Sequence, residues 1–141
     1  MIPPRSAHSL AGRLPAHAGR VAIVAGGVRF TYQDLDDAAA AVAARLALTA
    51  AAGPHPEPRV AFWIPPGFDY VAVLLGIWRA GGIAVPLAVS HPPPELEHVL
   101  TDSAPAVVVS SPESIETLRP IARSAGARVM TTTELLGRRV D

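Results

Sequence analysis

Three side chains in the second half of the chain have a spacing that could hold a metal ion. His91, Glu95 and His98 would share one face of a helix, and imidazole and carboxylate groups are ordinary zinc ligands. His91, however, precedes three consecutive prolines, which disfavour a helical backbone at that position. We therefore expect no metal site here.

Hydroxyl and acidic groups elsewhere also suggest chemistry. Ser110 and Ser111 lack the flanking glycines of a nucleophile elbow, and a serine before Pro-Glu is typical of a helix N-cap. Three acidic residues lie in the first turns of a predicted helix, where carboxylates complement the helix dipole: Asp34, Asp36 and Asp37. The sequence therefore predicts no catalytic residue.

Phosphate binding has two candidate features. Arg119 and Arg123 are four residues apart on a predicted helix, where they would either present two guanidinium groups to a phosphate or remain solvated. Gly81-Gly82 follows a helix and precedes a strand, which is the reverse of the order in phosphate loops. All twelve basic residues are arginine, so the 141 residues contain no Walker-type or Schiff-base lysine.

The composition is that of one globular domain. Half of the residues are hydrophobic, 17% are charged, the net charge is zero and there is no cysteine. Neutral charge gives no reason to expect nucleic acid as a partner. The most apolar stretch, 71–89, is interrupted by Gly81-Gly82 and Pro86, so we expect no membrane span. No signal peptide is recognised at the N-terminus, and a cytoplasmic location is expected.

The first third of the chain is predicted to form a loose lead-in segment, a β-hairpin and a helix. Residues 1–19 show no sustained period, although one helical turn is compatible with them. The apolar runs 21–25 and 28–31 flank Gly26-Gly27, which predicts a β-hairpin. Thr31 as N-cap and Asp34 as its capping-box partner predict a helix that runs to about Ala51.

From Arg59 onward strands and helices alternate with short connections, which predicts an α/β fold with a layered, mostly parallel sheet and covering helices. Pro86 indicates an edge strand or a bulge. No strand is followed by Gly-x-Gly-x-x-Gly, so a small Rossmann-type nucleotide binder is disfavoured. The predicted order is strand 59–64, helix 68–79, strand 83–87, helix 95–102, strand 106–110, helix 111–125 and strand 128–131.

Two motifs in this order resemble a known family. Phe30-Thr-Tyr-Gln-Asp-Leu35 is similar to the first core motif of the AMP-forming acyl-CoA synthetases and adenylation domains, and Trp78-Arg-Ala-Gly-Gly-Ile-Ala-Val-Pro-Leu87 matches their second. The resemblance covers about residues 20–135. Gly81–Leu87 with Ser90-His-Pro92 most resembles the malonyl-CoA synthetase branch. Pro58-Arg59 and Pro66 depart from the family pattern, but both lie in turns.

The resemblance implies that residues 20–141 are a partial AMP-binding synthetase domain, truncated before the phosphate loop. The intact enzyme would use ATP, Mg²⁺ and CoA to convert a carboxylate into an acyl-CoA, with a role in fatty acid metabolism. The family's phosphate loop, metal carboxylate, ribose-binding aspartate and C-terminal lysine all come later. We therefore expect no cofactor and no activity for this chain alone, with Ser90 and Arg119 at most on an edge that faces CoA.

A second interpretation is a non-enzymatic remnant or an α/β protein-interaction module. The helix 68–79 is apolar nearly all round, and such a helix must be covered on more than one side. Its expected partners are the remainder of a synthetase or a second copy of the chain. Neither a nucleic acid nor a membrane is expected.

Overall fold

A computed structural model describes residues 10–49 and 57–138, which form six α-helices and six strands. The helices are α1 (Leu10–Arg13), α2 (Tyr32–Thr49), α3 (Phe68–Arg79), α4 (Pro93–Ser103), α5 (Ile115–Ser124) and α6 (Thr132–Leu136). The strands are β1 (Val21–Ala25), β2 (Val28–Thr31), β3 (Arg59–Trp63), β4 (Ile83–Pro86), β5 (Val107–Ser110) and β6 (Arg128–Thr131). Short 3-10 helices cover Leu14–His17 and Pro112–Ser114.

Strands β3 to β6 form one parallel sheet in the order β4-β3-β5-β6. Alternate residues of the central strands point to opposite faces, and both faces are covered. Val60, Phe62 and Val109 are among the residues that pack towards α3, α2 and α6. Ala61 and Val108 pack towards α4 and α5. The predicted α/β class, with covering helices and a parallel sheet, is confirmed.

Helix α2 forms an additional layer outside α3. The two helices approach closely at Gly76, where an added Cβ would lie 2.5 Å from Val42 Cβ and 3.1 Å from the Ala39 carbonyl oxygen. The small residue is therefore required by helix packing. With α2 on one side and the sheet on the other, the apolar helix α3 is largely covered, and Trp78 is its one exposed large apolar residue in the part of the chain described here.

The hairpin packs against the start of α3. β1 and β2 are antiparallel, and Gly26 and Gly27 have φ of 57° and 76°, which a two-residue turn needs and glycine allows. Phe30 stacks on Phe68 with ring centroids 4.3 Å apart. These contacts confirm the predicted hairpin and attach it to the layered unit.

Local capping explains where α2 begins. The Asp34 amide donates to Thr31 Oγ1 at 3.1 Å, and the Thr31 amide donates to Asp34 Oδ2 at 2.8 Å, which is the predicted capping box. The predicted end of this helix, at about Ala51, lies outside the described residues.

Two details differ from the sequence-based expectation. Ser111 occupies the expected N-cap position, but its side chain makes no capping hydrogen bond, and a 3-10 turn precedes α5. Helix α6 is additional; it begins with a capping box between Thr131 and Glu134. With only five residues, α6 is too short for a periodic pattern to reveal it. None of the described helices is both long and apolar enough to cross a membrane.

Candidate functional site

The topology defines one position in the sheet where a ligand would be expected. The chain first leaves β3 towards β4 and then crosses back to β5 on the other side of β3. The loops that leave β3 and β5 therefore diverge, and open parallel sheets bind ligands at the carboxyl ends of strands around such a switch point. A site is therefore expected at the carboxyl edge of the sheet.

A cavity of about 500 Å³, here called the switch cavity, lies at this edge. Its walls come from the segments that directly follow three strands: Ile64–Gly67 after β3, Ser111–Glu113 after β5, and Thr132 and Thr133 after β6. The turn of the hairpin and the stacked Phe30 and Phe68 close another side. The wall combines apolar side chains with hydroxyl and charged groups, and pockets with a few convergent polar groups are typical of small-molecule sites.

A charged pair lies in the wall of the switch cavity. The Arg138 guanidinium donates to both carboxylate oxygens of Asp69 at 2.8 and 2.7 Å. Asp69 lies in the first turn of α3, where a carboxylate also complements the helix dipole. The pair fastens the chain after α6 to α3, and it neutralises the one guanidinium that the described residues place in this cavity.

A second cavity of about 510 Å³, here called the β4 cavity, adjoins the first and shares Ile64 and Pro66 with it. Its wall is mainly apolar and includes Tyr70, Leu87 and the predicted residue Ser90. The loop that carries Ser90 is held in place, because the Trp63 indole N–H donates to the Ala88 carbonyl at 3.0 Å. Ser90 is exposed in a turn after β4.

Arg119, the other predicted binding residue, lies elsewhere. It is on α5 and lines neither of these two cavities. Its nearest charged partner is Glu116, 3.6 Å away on the same helix, and its side chain is 40% exposed. The structure therefore does not bring Ser90 and Arg119 into one of these cavities, and their role towards CoA stays a prediction.

The residues considered for metal and acid–base chemistry are dispersed. His91 Nε2 lies 3.7 Å from Glu95 Oε2, His91 precedes α4, and His98 is exposed. No group of three His, Cys, Asp or Glu side chains in residues 10–49 and 57–138 is placed to hold a metal ion.

Three of the remaining candidates, Ser110, Asp36 and Asp37, have structural partners. The Ser110 hydroxyl donates to the Ser111 carbonyl at 2.8 Å. Asp36 pairs with Arg79 at 3.2 Å, and Asp37 accepts a hydrogen bond from Gln33 at 2.7 Å. These contacts give Ser110, Asp36 and Asp37 structural roles, although the sequence suggested them as candidates for catalysis or metal binding.

The described residues do not fit a magnesium–nucleotide site by themselves. Such a site needs several oxygen ligands for the metal and free cationic groups for the phosphates. The described part of the chain has no metal-binding cluster, and Arg138 is already paired with Asp69. No step that involves ATP or Mg²⁺ can therefore be derived from these residues.

Sequence reasoning missed most of the polar wall of the switch cavity. Asp69, Thr132, Thr133 and Arg138 carry no motif, and only their positions just beyond β3 and β6 bring them together. The signal available in the sequence was their position after predicted strands, because residues that follow neighbouring parallel strands meet at one edge of the sheet.

The family model described as "AMP-binding enzyme" matches residues 11–138. The mitochondrial malonate–CoA ligase of Xenopus laevis is 37% identical over 122 residues, which are 84% of this chain and 21% of the ligase. The human mitochondrial malonate–CoA ligase is 32% identical over 123 residues, which are 86% of this chain and 21% of that protein. The chain thus spans about a fifth of the length of these relatives.

Solved structures give the same fold. Apo MatB from Rhodopseudomonas palustris superposes with a TM-score of 0.77 at 28% identity, covering 91% of this chain and 27% of MatB. A benzoate CoA ligase from Burkholderia xenovorans superposes with a TM-score of 0.79 at 22% identity, covering 90% of this chain and 28% of that ligase. At that identity the second likeness shows the fold alone.

Proposed function

Because its residues 11–138 match the family model, the chain belongs to the AMP-binding enzyme family, and we propose that it forms the N-terminal part of an AMP-forming malonate–CoA ligase. The observation that carries the proposal is the similarity to malonate–CoA ligases along more than four-fifths of the chain. The intact ligase would convert malonate, ATP and CoA into malonyl-CoA, AMP and pyrophosphate.

Within that enzyme this chain supplies a scaffold rather than reacting groups. Several of its polar candidates are engaged in capping, ion pairs or backbone hydrogen bonds: Asp34, Asp36 and Ser110. The carboxyl edge of the sheet, with its two cavities, is the surface that such a scaffold would present to the rest of the ligase. The isolated 141 residues are therefore inactive in our proposal.

A chimera tests the ligase assignment. Residues 11–138 would replace the matching segment of the Xenopus laevis malonate–CoA ligase, and malonyl-CoA formation would be measured. The same segment grafted into the feruloyl-CoA synthase of Amycolatopsis, which is 36% identical over 117 residues, serves as the matched control. We expect the malonate ligase to retain the larger fraction of its parental kcat/KM.

Each other outcome overturns a distinct part of the proposal. If both chimeras retained the same fraction of their parental kcat/KM, the assignment to malonate would be wrong. If both chimeras folded but were inactive, the proposal that this chain is the scaffold of a ligase would be wrong. The isolated chain is assayed in parallel by pyrophosphate exchange with malonate, and measurable exchange would disprove its inactivity.

The second interpretation, an interaction module, has less support. Most apolar side chains of α3 are covered by α2 and by the sheet, while Trp78 is 50% exposed. Self-association through residues 68–79 stays a prediction. The cytoplasmic location and a role in fatty acid metabolism also stay predictions, and the relatives include mitochondrial ligases.

A further inference from the structure

Two nearly buried hydroxyl groups line the switch cavity. Ser111 and Thr132 directly follow β5 and β6, and the residues before them, Ser110 and Thr131, are paired in the sheet. Ser111 and Thr132 are only 7% and 2% exposed, and neither side chain makes a hydrogen bond within the part of the chain that the structure describes. Since buried polar groups in folded proteins are nearly always paired, these hydroxyls point to a partner outside the described residues.

A carboxylate without a cationic partner lines the same cavity. Glu113 lies in the 3-10 turn after β5, and within residues 10–49 and 57–138 its side chain makes neither an ion pair nor a hydrogen bond. The other charged groups in the wall, Asp69 and Arg138, already neutralise each other. The described wall of the switch cavity therefore carries one excess negative charge, which disfavours a phosphate or a carboxylate as the occupant.

A basic side chain suits all three of these groups at once. Guanidinium and ammonium groups only donate hydrogen bonds, whereas a carboxylate accepts them and a hydroxyl oxygen can accept them. A hydrogen bond from a cation to a carboxylate is also stronger than one between neutral groups. A cavity of about 500 Å³ is of the size that holds a small-molecule ligand, so it has room for such a side chain and part of the segment that carries it.

We propose that, in the intact ligase, a lysine or arginine from the part of the polypeptide outside these residues enters the switch cavity and donates hydrogen bonds to Glu113, Ser111 and Thr132. The inference rests on the proposed function, in which the matched residues make up about a fifth of the enzyme. The contact joins the carboxyl edge of the scaffold to the remainder of the ligase.

Photo-cross-linking in the chimera tests this contact. The chimera carries residues 11–138 in the Xenopus laevis ligase, and benzoylphenylalanine in place of Thr133 puts the reactive group in the wall of the cavity without changing the three proposed partners. We expect irradiation to join residue 133 to a segment of the Xenopus part that has a lysine or arginine within about one helical turn of the linked residue. Replacing that basic residue by glutamine should lower the yield of the cross-link.

Charge reversal separates a contact with a cation from simple packing. Glu113→Arg should lower the yield at least about threefold, because it replaces an attraction by a repulsion at an exposed site. Glu97→Arg is the matched control, since Glu97 is exposed on α4 and lines neither of the two cavities, and it should leave the yield unchanged. In Glu113→Arg, replacing the linked basic residue by glutamate should restore the yield.

Malonyl-CoA formation by the unmodified chimera distinguishes failure of this inference from failure of the proposed function. If an active chimera cross-links only within residues 11–138, or to a segment without a basic residue, the contact is wrong and the ligase assignment stands. Equal losses of yield in Glu113→Arg and Glu97→Arg would have the same meaning. If the chimeras of both recipients fold but are inactive, the proposed function is wrong, and this inference with it.

Discussion

At the scale of single residues, the ionisable side chains of this protein connect elements of the fold. Asp36 on α2 pairs with Arg79 on α3 at 3.2 Å, and Arg138 after α6 pairs with Asp69 on α3. The two pairs differ in burial: the Arg79 and Asp36 side chains are 16% and 11% exposed, and those of Arg138 and Asp69 are 47% and 29% exposed. Burial therefore decides how much each pair contributes to stability.

We expect Arg79→Met to lower the free energy of unfolding by about 1–3 kcal/mol, because it removes the ion pair that Arg79 makes with the nearly buried Asp36 carboxylate. Arg138→Met, the matched control in a more exposed pair, should cost less than about 1 kcal/mol. Urea unfolding measures both values. Equal losses for the two variants would contradict the assignment, as would a loss for Arg138→Met that is unaffected by added salt.

Helices α2 and α3 approach each other closely at Gly76, where an added side chain would meet α2. Gly76→Ala gains about 1 kcal/mol of helix propensity, but its methyl group would collide with Val42 and the Ala39 carbonyl oxygen. Overpacking of this kind costs about 1–3 kcal/mol or more where the backbone cannot move. We therefore expect net destabilisation in thermal unfolding, whereas Gly19→Ala, which meets nothing within 4 Å, should change stability by less than about 1 kcal/mol. A stabilised Gly76→Ala variant would show that the helices are not in contact there.

At the scale of elements, α6 matters more than its five residues suggest. Its Leu135 is fully buried in the cluster that also contains Phe62 and Ile77, beneath α2 and beside α3. The helix then ends at Gly137, whose φ of 69° suits glycine and which packs against the Arg45 guanidinium. Helix α6 is thus part of the core.

We expect Leu135→Ala to destabilise the protein by about 2–5 kcal/mol, because it leaves a cavity in a closely packed core. Leu136→Ala changes the adjacent leucine, which is only partly buried, and should cost clearly less. Chemical denaturation of the two variants compares them directly. Equal losses of unfolding free energy for the two variants would show that α6 does not pack into the core through Leu135.

At the scale of the whole molecule, the chain is a layered scaffold whose cavities lie along one edge of the sheet. The matched part covers about a fifth of each relative's length, and the chimera and the isolated chain together test what this part contributes.

The sequence alone determined the elements and the family. Periodicity, the Gly26-Gly27 turn and the Thr31–Asp34 capping box depend on contacts within a few residues, so the hairpin and the main helices and strands could be predicted. The motifs at 30–35 and 78–87 predicted the family for the same reason, since each is contiguous.

Which of these residues contact one another depends on the tertiary structure. Ser90 and Arg119, predicted together, lie on different elements, while Asp69 and Arg138, separated by 69 positions, form a bidentate pair. The tertiary structure also places α2 over α3. Such contacts depend on strand order and helix packing, which the local pattern of residues does not specify.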